Sequence, residues 1–333
     1  MFIVQNYSVA VFFCIITMLC WGSWANTQKL AEKTWRFELF YWDYVIGILL
    51  FSVISAFTLG SMGEQGRSFV DDLKQADTTN ITSAFVGGII FNAANILFSA
   101  AIALAGMAVA FPIAIGLALV LGVIVNYAAS QKGDPVFLFI GVACIAVAII
   151  INAVAYKKLN TAQQRVSTKG ILISLIAGVL MSFFYRFIAA SMDLENFISP
   201  AAGKMTPYTA VFIFSLGIFA SNFIFNTILM KKPFDAVPVS YKDYFNRKFS
   251  THLVGVLGGI IWGIGNSFNL IAAGKAGAAI SYGLGQGATL IAALWGVFIW
   301  KEFRNAPKGT NSLLTAMFLF FIAGIVIIIF SGL

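Results

Sequence analysis

The chain has 333 residues, of which 60% are hydrophobic and only 10% are charged. A soluble globular protein has about 45–50% apolar and about 25% charged residues, so this composition excludes soluble enzymes, nucleic-acid binders and secreted disulfide-rich modules. The net charge of +8 requires no nucleic-acid partner, because basic residues of membrane proteins collect on the cytoplasmic side. Cys14, Cys20 and Cys144 lie in apolar runs, which predicts neither a disulfide nor a metal cluster.

Ten apolar runs, each long enough to cross a bilayer, follow one another along the chain. They are too long for barrel strands and lack apolar–polar alternation. We therefore predict an all-α, polytopic membrane protein with ten transmembrane helices, called spans 1 to 10. A polar, acidic segment (62–81) and a basic loop (231–250) separate some of them. The predicted spans are 8–26, 38–61, 82–105, 107–128, 136–156, 169–191, 208–230, 251–274, 277–300 and 312–332.

The basic residues divide unequally between the two ends of these spans. Of the 21 lysines and arginines, 15 lie in or beside the loops that follow odd-numbered spans, and only 5 lie in the other loops and termini. Arg186 is the remaining one and lies within span 6. The positive-inside rule places the basic loops in the cytoplasm, so both termini are predicted to lie outside the plasma (inner) membrane.

An internal repeat relates the two halves of the chain. Residues 87–116 match residues 258–287 without a gap, with ten identities in 30 positions, one of which pairs Asn95 with Asn266. This offset of 171 places span 3 on span 8 and span 4 on span 9, so two five-helix repeats run in opposite directions. We predict a first repeat over 1–156, a cytoplasmic connector over 157–168 and a second repeat over 169–333.

Matching positions of spans 4 and 9 carry residues that weaken helices. Pro112 in span 4 corresponds to Gly283 in span 9. Interrupted helices at equivalent places in two repeats indicate a binding site near the bilayer midplane. The alternative is that these residues only allow close helix packing.

Three ionisable residues fall within or beside the spans. Asp43 in span 2 is interpreted as a proton-coupling carboxylate or substrate anchor, or else as an interfacial residue paired with a loop lysine. Arg186 is predicted to pair with Asp43 or to bind a substrate carbonyl, with a structural role as the alternative. His252, the only histidine, opens span 8 and is interpreted as structural.

Aromatic and amide side chains recur on the faces of several spans. Aromatic rings cover the face of a planar solute and amides bind its edge, which predicts a cavity for a neutral, hydrogen-bonding solute. The alternative is hydrogen bonding between helices. Spans 5 and 10 are nearly featureless and are predicted to be peripheral supports or contacts of a homodimer. The predicted substrate-binding residues, besides Arg186, are Trp21, Trp24, Asn92, Asn95, Trp262, Asn266, Asn269, Tyr282 and Gln286.

Motifs of other chemistries are missing from the sequence. No GxxxxGK[ST] loop for ATP and no HExxH zinc motif occurs, and a single histidine excludes a redox cofactor held by paired histidines. We therefore predict no enzyme activity, no cofactor and no metal. An ion gradient remains as the energy source for transport.

Four motifs of the first hairpin resemble those of ureide permeases. They are Leu19-Cys20-Trp21-Gly22-Ser23-Trp24, Lys29-Leu30-Ala31-Glu32, Tyr41-Trp42-Asp43-Tyr44 and Phe57-Thr58-Leu59-Gly60. That family is placed in the drug/metabolite transporter superfamily, near the glucose/ribose porters and rhamnose–proton symporters. The resemblance implies two inverted five-helix halves around a central cavity and uptake of small polar solutes, often with protons. Plant members carry allantoin, uracil and related ureides.

The resemblance assigns site roles to Trp21, Trp24, Asp43 and Tyr44. Plant members have Gly-Thr-Trp-Pro where this chain has Gly22-Ser23-Trp24-Ala25, and they have a longer central loop. The leading hypothesis is a proton-coupled secondary transporter of a ureide, nucleobase or sugar that works by alternating access in the lipid bilayer. A metabolite or drug exporter and, further off, a passive channel are the alternatives.

Overall fold

The computed structural model describes residues 1–31, 35–159 and 167–333. These residues form helices and short connections and include no strand, only an isolated bridge between Met192 and Met205. Ten of the helical segments are long and apolar enough to cross a membrane. The prediction of an all-α protein with ten spans is thus confirmed, and the chain is an integral multi-pass membrane protein.

The observed helices agree with the predicted spans to within a few residues at most ends. Span 1 consists of two helices joined at Trp24, and span 9 consists of three segments, the last of which is a π-helix. The bounds are Tyr7–Ser23 with Ala25–Ala31, Phe37–Phe57, Thr78–Ala105, Met107–Ala129, Pro135–Leu159, Thr168–Ala190, Pro207–Lys231, Phe249–Ala276, Ala278–Gln286 with Ala288–Leu294 and Trp295–Ile299, and Thr310–Phe330.

Two short helices lie outside the spans. Phe69–Gln75 lies in the polar segment before span 3, where the Ser68 side chain caps its first turn. Tyr241–Phe245, called the loop helix, lies in the basic loop before span 8. Ser240 and Asp243 form a reciprocal capping box there. The hydrogen bonds from the Ser240 backbone and hydroxyl lower the pKa of the Asp243 carboxyl, which keeps it an acceptor.

Most large helix contacts join the first half of the chain to the second. Span 3 packs on spans 6 and 7, span 8 packs on spans 1 and 2, and span 4 packs on span 6. Spans 5 and 10 pack on each other and expose apolar side chains on their outer faces, such as Ile150 and Leu319. The core therefore lies between the halves.

Two helix crossings depend on glycine for their closeness. A Cβ added to Gly259 of span 8 would lie 1.9 Å from the carbonyl oxygen of Tyr44 in span 2. A Cβ added to Gly88 of span 3 would lie 2.1 Å from the carbonyl oxygen of Phe214 in span 7. Small residues let membrane helices approach closely. The two glycines are 171 positions apart, which is the offset of the predicted internal repeat.

The same offset relates the connections after spans 3 and 8. Gly106 separates spans 3 and 4 with φ 78° and ψ 159°, and Gly277 separates spans 8 and 9 with φ 84° and ψ 154°. Positive φ of this kind favours glycine because a Cβ would clash. Each glycine thus turns the chain back on itself in a single residue. The predicted connector over 157–168 lies partly outside the described residues, since residues 160–166 are not described.

The predicted helix breaks at Pro112 and Gly283 are wrong. Met107–Ala129 continues through Pro112, because a proline this close to a helix start removes one hydrogen bond without ending the helix. Gly283 lies inside Ala278–Gln286. The interruption of span 9 is instead at Gly287, whose N–H bonds to the Leu284 carbonyl in a tightened turn, and a similar turn joins Thr27 to the Trp24 carbonyl in span 1.

Candidate functional site

A central pocket lies where spans of both halves meet. A larger cavity lies at the end of the molecule that carries the basic loops, between Gln28 and the 233–236 loop. The central pocket is lined by Trp21 and Trp24 of span 1, Phe91, Asn95 and Phe98 of span 3, Phe111 and Ile115 of span 4, Met181 and Phe184 of span 6, Trp262 of span 8, and Gln286 and Ala288 of span 9.

Aromatic rings form most of the wall of the central pocket. The rings of Trp21 and Trp262 are nearly parallel, at 8°, with centroids 6.0 Å apart. Phe91 lies 4.2 Å from Trp262, and Trp24 lies 6.4 Å from Phe98, centroid to centroid. Flat aromatic faces bury the faces of a planar solute without specifying its polar edge.

Polar groups of the pocket come from two amides and an indole. Asn95 donates from Nδ2 to the Tyr41 hydroxyl at 3.3 Å, and Gln286 of span 9 also lines the pocket. The Trp21 Nε1–H is buried and has no hydrogen-bond partner among the described residues. A buried donor without a partner is costly unless water or a ligand accepts from it. These groups therefore offer both donors and acceptors to a neutral solute.

Five of the predicted substrate-binding residues come together in this pocket. They belong to four spans that are distant in sequence. The predicted cavity requires such residues to lie close together in the fold. These five are Trp21, Trp24, Asn95, Trp262 and Gln286.

Three other predicted residues instead hold helices to one another. Asn92 donates to the Ser221 hydroxyl of span 7 at 2.9 Å, and Asn269 donates to the Ser281 carbonyl at 2.7 Å. Tyr282 donates to the carbonyls of Ala118 and Met181, both at 3.2 Å. These residues line no part of the central pocket. These three residues form hydrogen bonds between helices, as the alternative interpretation proposed.

Two predicted residues lie elsewhere. Asn266 is buried one turn beyond Trp262, outside the pocket lining, and both of its amide atoms lack a partner in the described part of the chain. Arg186 lies on the exposed face of span 6, near the end of that helix and outside the lining of the central pocket. The predicted pairing of Arg186 with Asp43 is wrong, because Asp43 is held by His252 and Tyr244. A long arginine at a helix end reaches the interface along the outside of the bundle.

Asp43 is buried at the end of span 2 nearest the basic loops, away from the central pocket. His252 Nδ1 lies 2.9 Å from Asp43 Oδ1 and 3.1 Å from Oδ2. The hydroxyl of Tyr244 in the loop helix donates a hydrogen bond to Oδ1. Burial and the hydrogen bond to Asp43 raise the pKa of Tyr244, which therefore remains a donor. The carboxylate is thus held by a histidine and a tyrosine rather than by a lysine.

The segment around Asp43 also contacts the central pocket. Its neighbour Tyr44 packs on Trp24, with ring centroids 4.8 Å apart. Tyr41, two residues before Asp43, accepts the hydrogen bond from Asn95. Asp43 is therefore close in sequence to two tyrosines that contact Trp24 and Asn95 of the pocket wall.

A second polar cluster joins the ends of spans 1, 5 and 9. Lys29 Nζ lies 2.6 Å from Glu302 Oε1 and 4.5 Å from the centroid of the Trp300 ring. Tyr156 donates to Glu302 Oε2 at 2.6 Å, and Trp300 donates to Asn26 Oδ1 at 2.7 Å. Called the basal cluster, this group connects the two halves at the end that carries the basic loops.

Several site residues were missed by the sequence interpretation. The apolar wall residues, such as Phe91, Phe98 and Phe184, are a few of 33 phenylalanines, and nothing local distinguishes them. Tyr244 lies in a loop whose folded position the sequence does not show. The sequence interpretation favours a structural role for His252 and does not link it to Asp43. The described residues contain no group of His, Cys, Asp and Glu side chains suited to a metal.

Comparison with known proteins gives the family. The model of the Ureide permease family matches residues 40–169 and 161–331, which together are most of the chain. The chain belongs to the ureide permease family. Ureide permease 2 and Ureide permease 1 of Arabidopsis thaliana are 26% and 24% identical to it, over 100% of this chain and 99% of each relative. These relatives are permeases, that is transporters, and not enzymes.

Two further similarities are more limited. Transmembrane protein 144 homolog A of Dictyostelium discoideum is 28% identical, over 53% of this ureide permease family member and 43% of the relative. A protein of known crystal structure has a TM-score of 0.62 at 16% identity, over 97% of this chain and 96% of that one. At that identity the likeness shows a shared fold and nothing more.

Proposed function

We propose that this protein is a proton-coupled secondary transporter of a ureide. The observation that carries the proposal is the full-length similarity to ureide permeases together with a pocket of aromatic and amide residues between the halves. A ureide is small, neutral and planar in part, with N–H and C=O groups at its edge. Aromatic rings of the wall, those of Trp21 and Trp262 among them, would lie against the solute, and Asn95 and Gln286 would bind its edge.

Alternating access of two inverted five-helix repeats, 1–156 and 169–333, is the mechanism proposed for this pocket. Three observations support it. The close crossings at Gly88 and Gly259 and the turns at Gly106 and Gly277 share the offset of 171. Spans of the two halves line the pocket together. The basal cluster holds the halves together at one end, as a closed cytoplasmic side requires.

Proton coupling is assigned to Asp43. A buried carboxylate in a membrane protein is expensive and is usually functional. Its partners are the imidazole of His252 and the hydroxyl of Tyr244, and its segment contacts the pocket through Tyr41 and Tyr44. We therefore expect the protonation state of Asp43 to alter solute binding through those contacts.

The proposal includes the surroundings of the protein. The end with the basic loops is proposed to lie in the cytoplasm and both termini outside the plasma membrane, which the positive-inside rule supports. A homodimer would use the exposed outer faces of spans 5 and 10, where Phe137, Ile150 and Leu319 are available. Labelling of a cysteine introduced after Leu333 by an impermeant reagent on intact cells tests the orientation, and chemical cross-linking at Ile150→Cys tests the dimer.

Uptake into proteoliposomes tests the function. Purified protein should accumulate radiolabelled allantoin when the external side is made acidic, and the accumulation should stop when a protonophore removes the gradient. A thermal-shift screen with ureides, nucleobases and monosaccharides identifies the solute class, since a ligand of the folded state raises its apparent stability. Stabilisation by monosaccharides alone, with no allantoin uptake, would contradict the ureide assignment.

A further inference from the structure

The basic loop, 231–250, combines large apolar side chains with basic ones on its exposed surface. Val237, Phe245 and Phe249 are 76%, 75% and 76% exposed. Five basic residues, all exposed, accompany them, against two acids. The apolar and basic residues together are called the loop surface, and the basic members are Lys231, Lys232, Lys242, Arg247 and Lys248. Exposed aromatic residues next to basic ones are typical of segments that lie on a membrane surface.

The loop folds back against span 7 instead of extending away from the bundle. The Val239 N–H donates to the Met230 carbonyl at 2.9 Å, and the hydroxyls of Tyr241 and Thr227 bond to each other. The Tyr241 ring also lies 5.7 Å from the Trp42 ring of span 2, centroid to centroid. Met230 and Thr227 belong to the final turns of a membrane span. The loop helix therefore lies at the depth where the hydrocarbon of the bilayer meets the lipid headgroups.

The loop helix has one face toward the protein and one away from it. Tyr244 donates to Asp43, and its ring lies 4.7 Å from the His252 ring, centroid to centroid. Phe245, the next residue, points away and is 75% exposed. The outer face is thus aromatic at a depth where water is replaced by lipid, and an aromatic ring there is stabilised by contact with the acyl boundary.

Charge indicates which lipids this face fits. One of the two acids of the loop, Asp243, is occupied by the capping box with Ser240, so positive charge is in excess. The other short surface helix, Phe69–Gln75, lies in a segment (62–77) with four acids and only two basic residues. Basic residues at headgroup depth attract anionic phospholipids. The complementary partner of the basic loop is therefore an anionic lipid surface.

We propose that the loop surface binds anionic phospholipid headgroups of the adjacent leaflet, with the rings of Phe245 and Phe249 inserted at the boundary with the acyl chains. The bound lipid holds the loop helix in place and, with it, the Tyr244 hydroxyl on Asp43. The anionic lipid content of the bilayer thereby controls how often Asp43 is uncovered. This interaction is independent of the solute that the protein carries.

Hydrogen–deuterium exchange of the full-length protein in nanodiscs tests the proposal. Nanodiscs of phosphatidylcholine are compared with nanodiscs in which phosphatidylglycerol replaces part of that lipid. The backbone N–H groups of Val239, Tyr244 and Asn246 are hydrogen-bonded, so their exchange reports opening of the loop. Phosphatidylglycerol should slow their exchange about tenfold or more, since several basic residues contribute. The amides of Phe69–Gln75 should exchange equally in both lipids.

A pair of lysine substitutions tests the role of charge. Lys242→Gln combined with Lys248→Gln removes two exposed charges of the loop surface and should bring the lipid effect to within about twofold. The matched control combines Lys74→Gln with Lys275→Gln, which removes the same charge from exposed positions at the opposite end. This control should keep the full slowing. Unchanged exchange in Pro207–Lys231 verifies that both variants are folded.

Four results would overturn the proposal. The first is equal exchange of the loop amides in the two lipid compositions, and the second is full slowing in the Lys242/Lys248 variant. The third is an equal slowing by inorganic phosphate in phosphatidylcholine nanodiscs, which would indicate a site for a free anion instead of a membrane surface. The fourth is full slowing in Phe245→Ser, which would mean that the ring does not insert.

Discussion

Trp262 contacts more than one of the aromatic side chains that form the wall of the central pocket. Its ring lies parallel to that of Trp21, with centroids 6.0 Å apart, and touches Phe91 on another side. Because one side chain contacts two walls, its loss removes both buried area and the shape that orients a planar solute. No other single substitution in the pocket is expected to have so large an effect on solute affinity.

We expect Trp262→Ala to raise the KM for allantoin at least about tenfold, since the lost aromatic contacts are worth on the order of 1–3 kcal/mol. Initial rates of uptake in proteoliposomes measure this. Trp42→Phe is the control, because Trp42 is equally buried but bonds to Met230 outside the pocket. A KM within twofold of the wild type in Trp262→Ala would show that the solute binds elsewhere.

Asp43 allows a separate test of coupling. Asp43→Asn keeps the shape of the side chain but removes its charge and its proton exchange. It should abolish accumulation driven by a pH gradient while allantoin still exchanges across the membrane. Asp71→Asn, at an exposed acid near the opposite end, should accumulate normally. Gradient-driven accumulation that survives in Asp43→Asn would exclude Asp43 as the proton carrier.

The residue types of the site were predictable from the sequence, but their neighbours were not. Five of the predicted residues, Trp21, Trp24, Asn95, Trp262 and Gln286, line one pocket. Helical spacing alone does not say which neighbour a face meets. Asn92 and Asn95 are only three residues apart on span 3. Asn95 lines the central pocket, whereas Asn92 bonds to Ser221 in span 7.

At the scale of helices, the ends of spans 1 and 9 are joined by charge. The Lys29–Glu302 pair is partly exposed, at 32% and 30%, so its intrinsic strength is modest. Its position between two halves matters more, because like charges there would separate those ends. Under the proposed alternating access, the basal cluster would form and break during transport.

A charge exchange tests this contact. Lys29→Glu and Glu302→Lys should each slow allantoin uptake several-fold, since each places two like charges side by side. The double variant restores opposite charges and should recover much of the rate, as coupled residues do in a double-mutant cycle. A double variant no faster than the slower single variant would mean that the ion pair has no part in transport.

The crossing of spans 2 and 8 is tested through stability. In Gly259→Ala the new Cβ would lie 1.9 Å from a backbone carbonyl oxygen, so the helices must separate at a cost of about 1–3 kcal/mol. In Gly283→Ala the nearest contact is 3.3 Å from a Val123 methyl carbon. Thermal unfolding in detergent should show a clear loss for Gly259→Ala and little for Gly283→Ala. Equal melting temperatures would contradict the close crossing.

The positions of the helix interruptions show a limit of sequence patterns. Pro112 and Gly283 are residues of low helix propensity, yet both lie in continuous helix. Neighbouring helices and a nearby helix start absorb the single lost hydrogen bond. Gly287 became the break although it is one of three glycines in five residues, and no local feature distinguishes it from Gly283 or Gly285.

For the whole molecule, span number followed directly from composition and length. In a bilayer, an apolar run of this length can fold in few ways other than as a helix, because its backbone groups must form hydrogen bonds within the segment. The site could be located only in outline, since it is assembled from six spans and its apolar walls resemble every other apolar face. The loop helix that brings Tyr244 to Asp43 depends on contacts between residues 201 positions apart.

The most direct test is a structure of the full-length protein in nanodiscs with saturating allantoin. If the halves enclose a ureide site, density for the solute will lie in the central pocket against Trp21 or Trp262, within hydrogen-bond distance of Asn95 or Gln286. Bound allantoin outside the space between spans 1, 3, 4, 6, 8 and 9, with the central pocket unchanged, would contradict that placement.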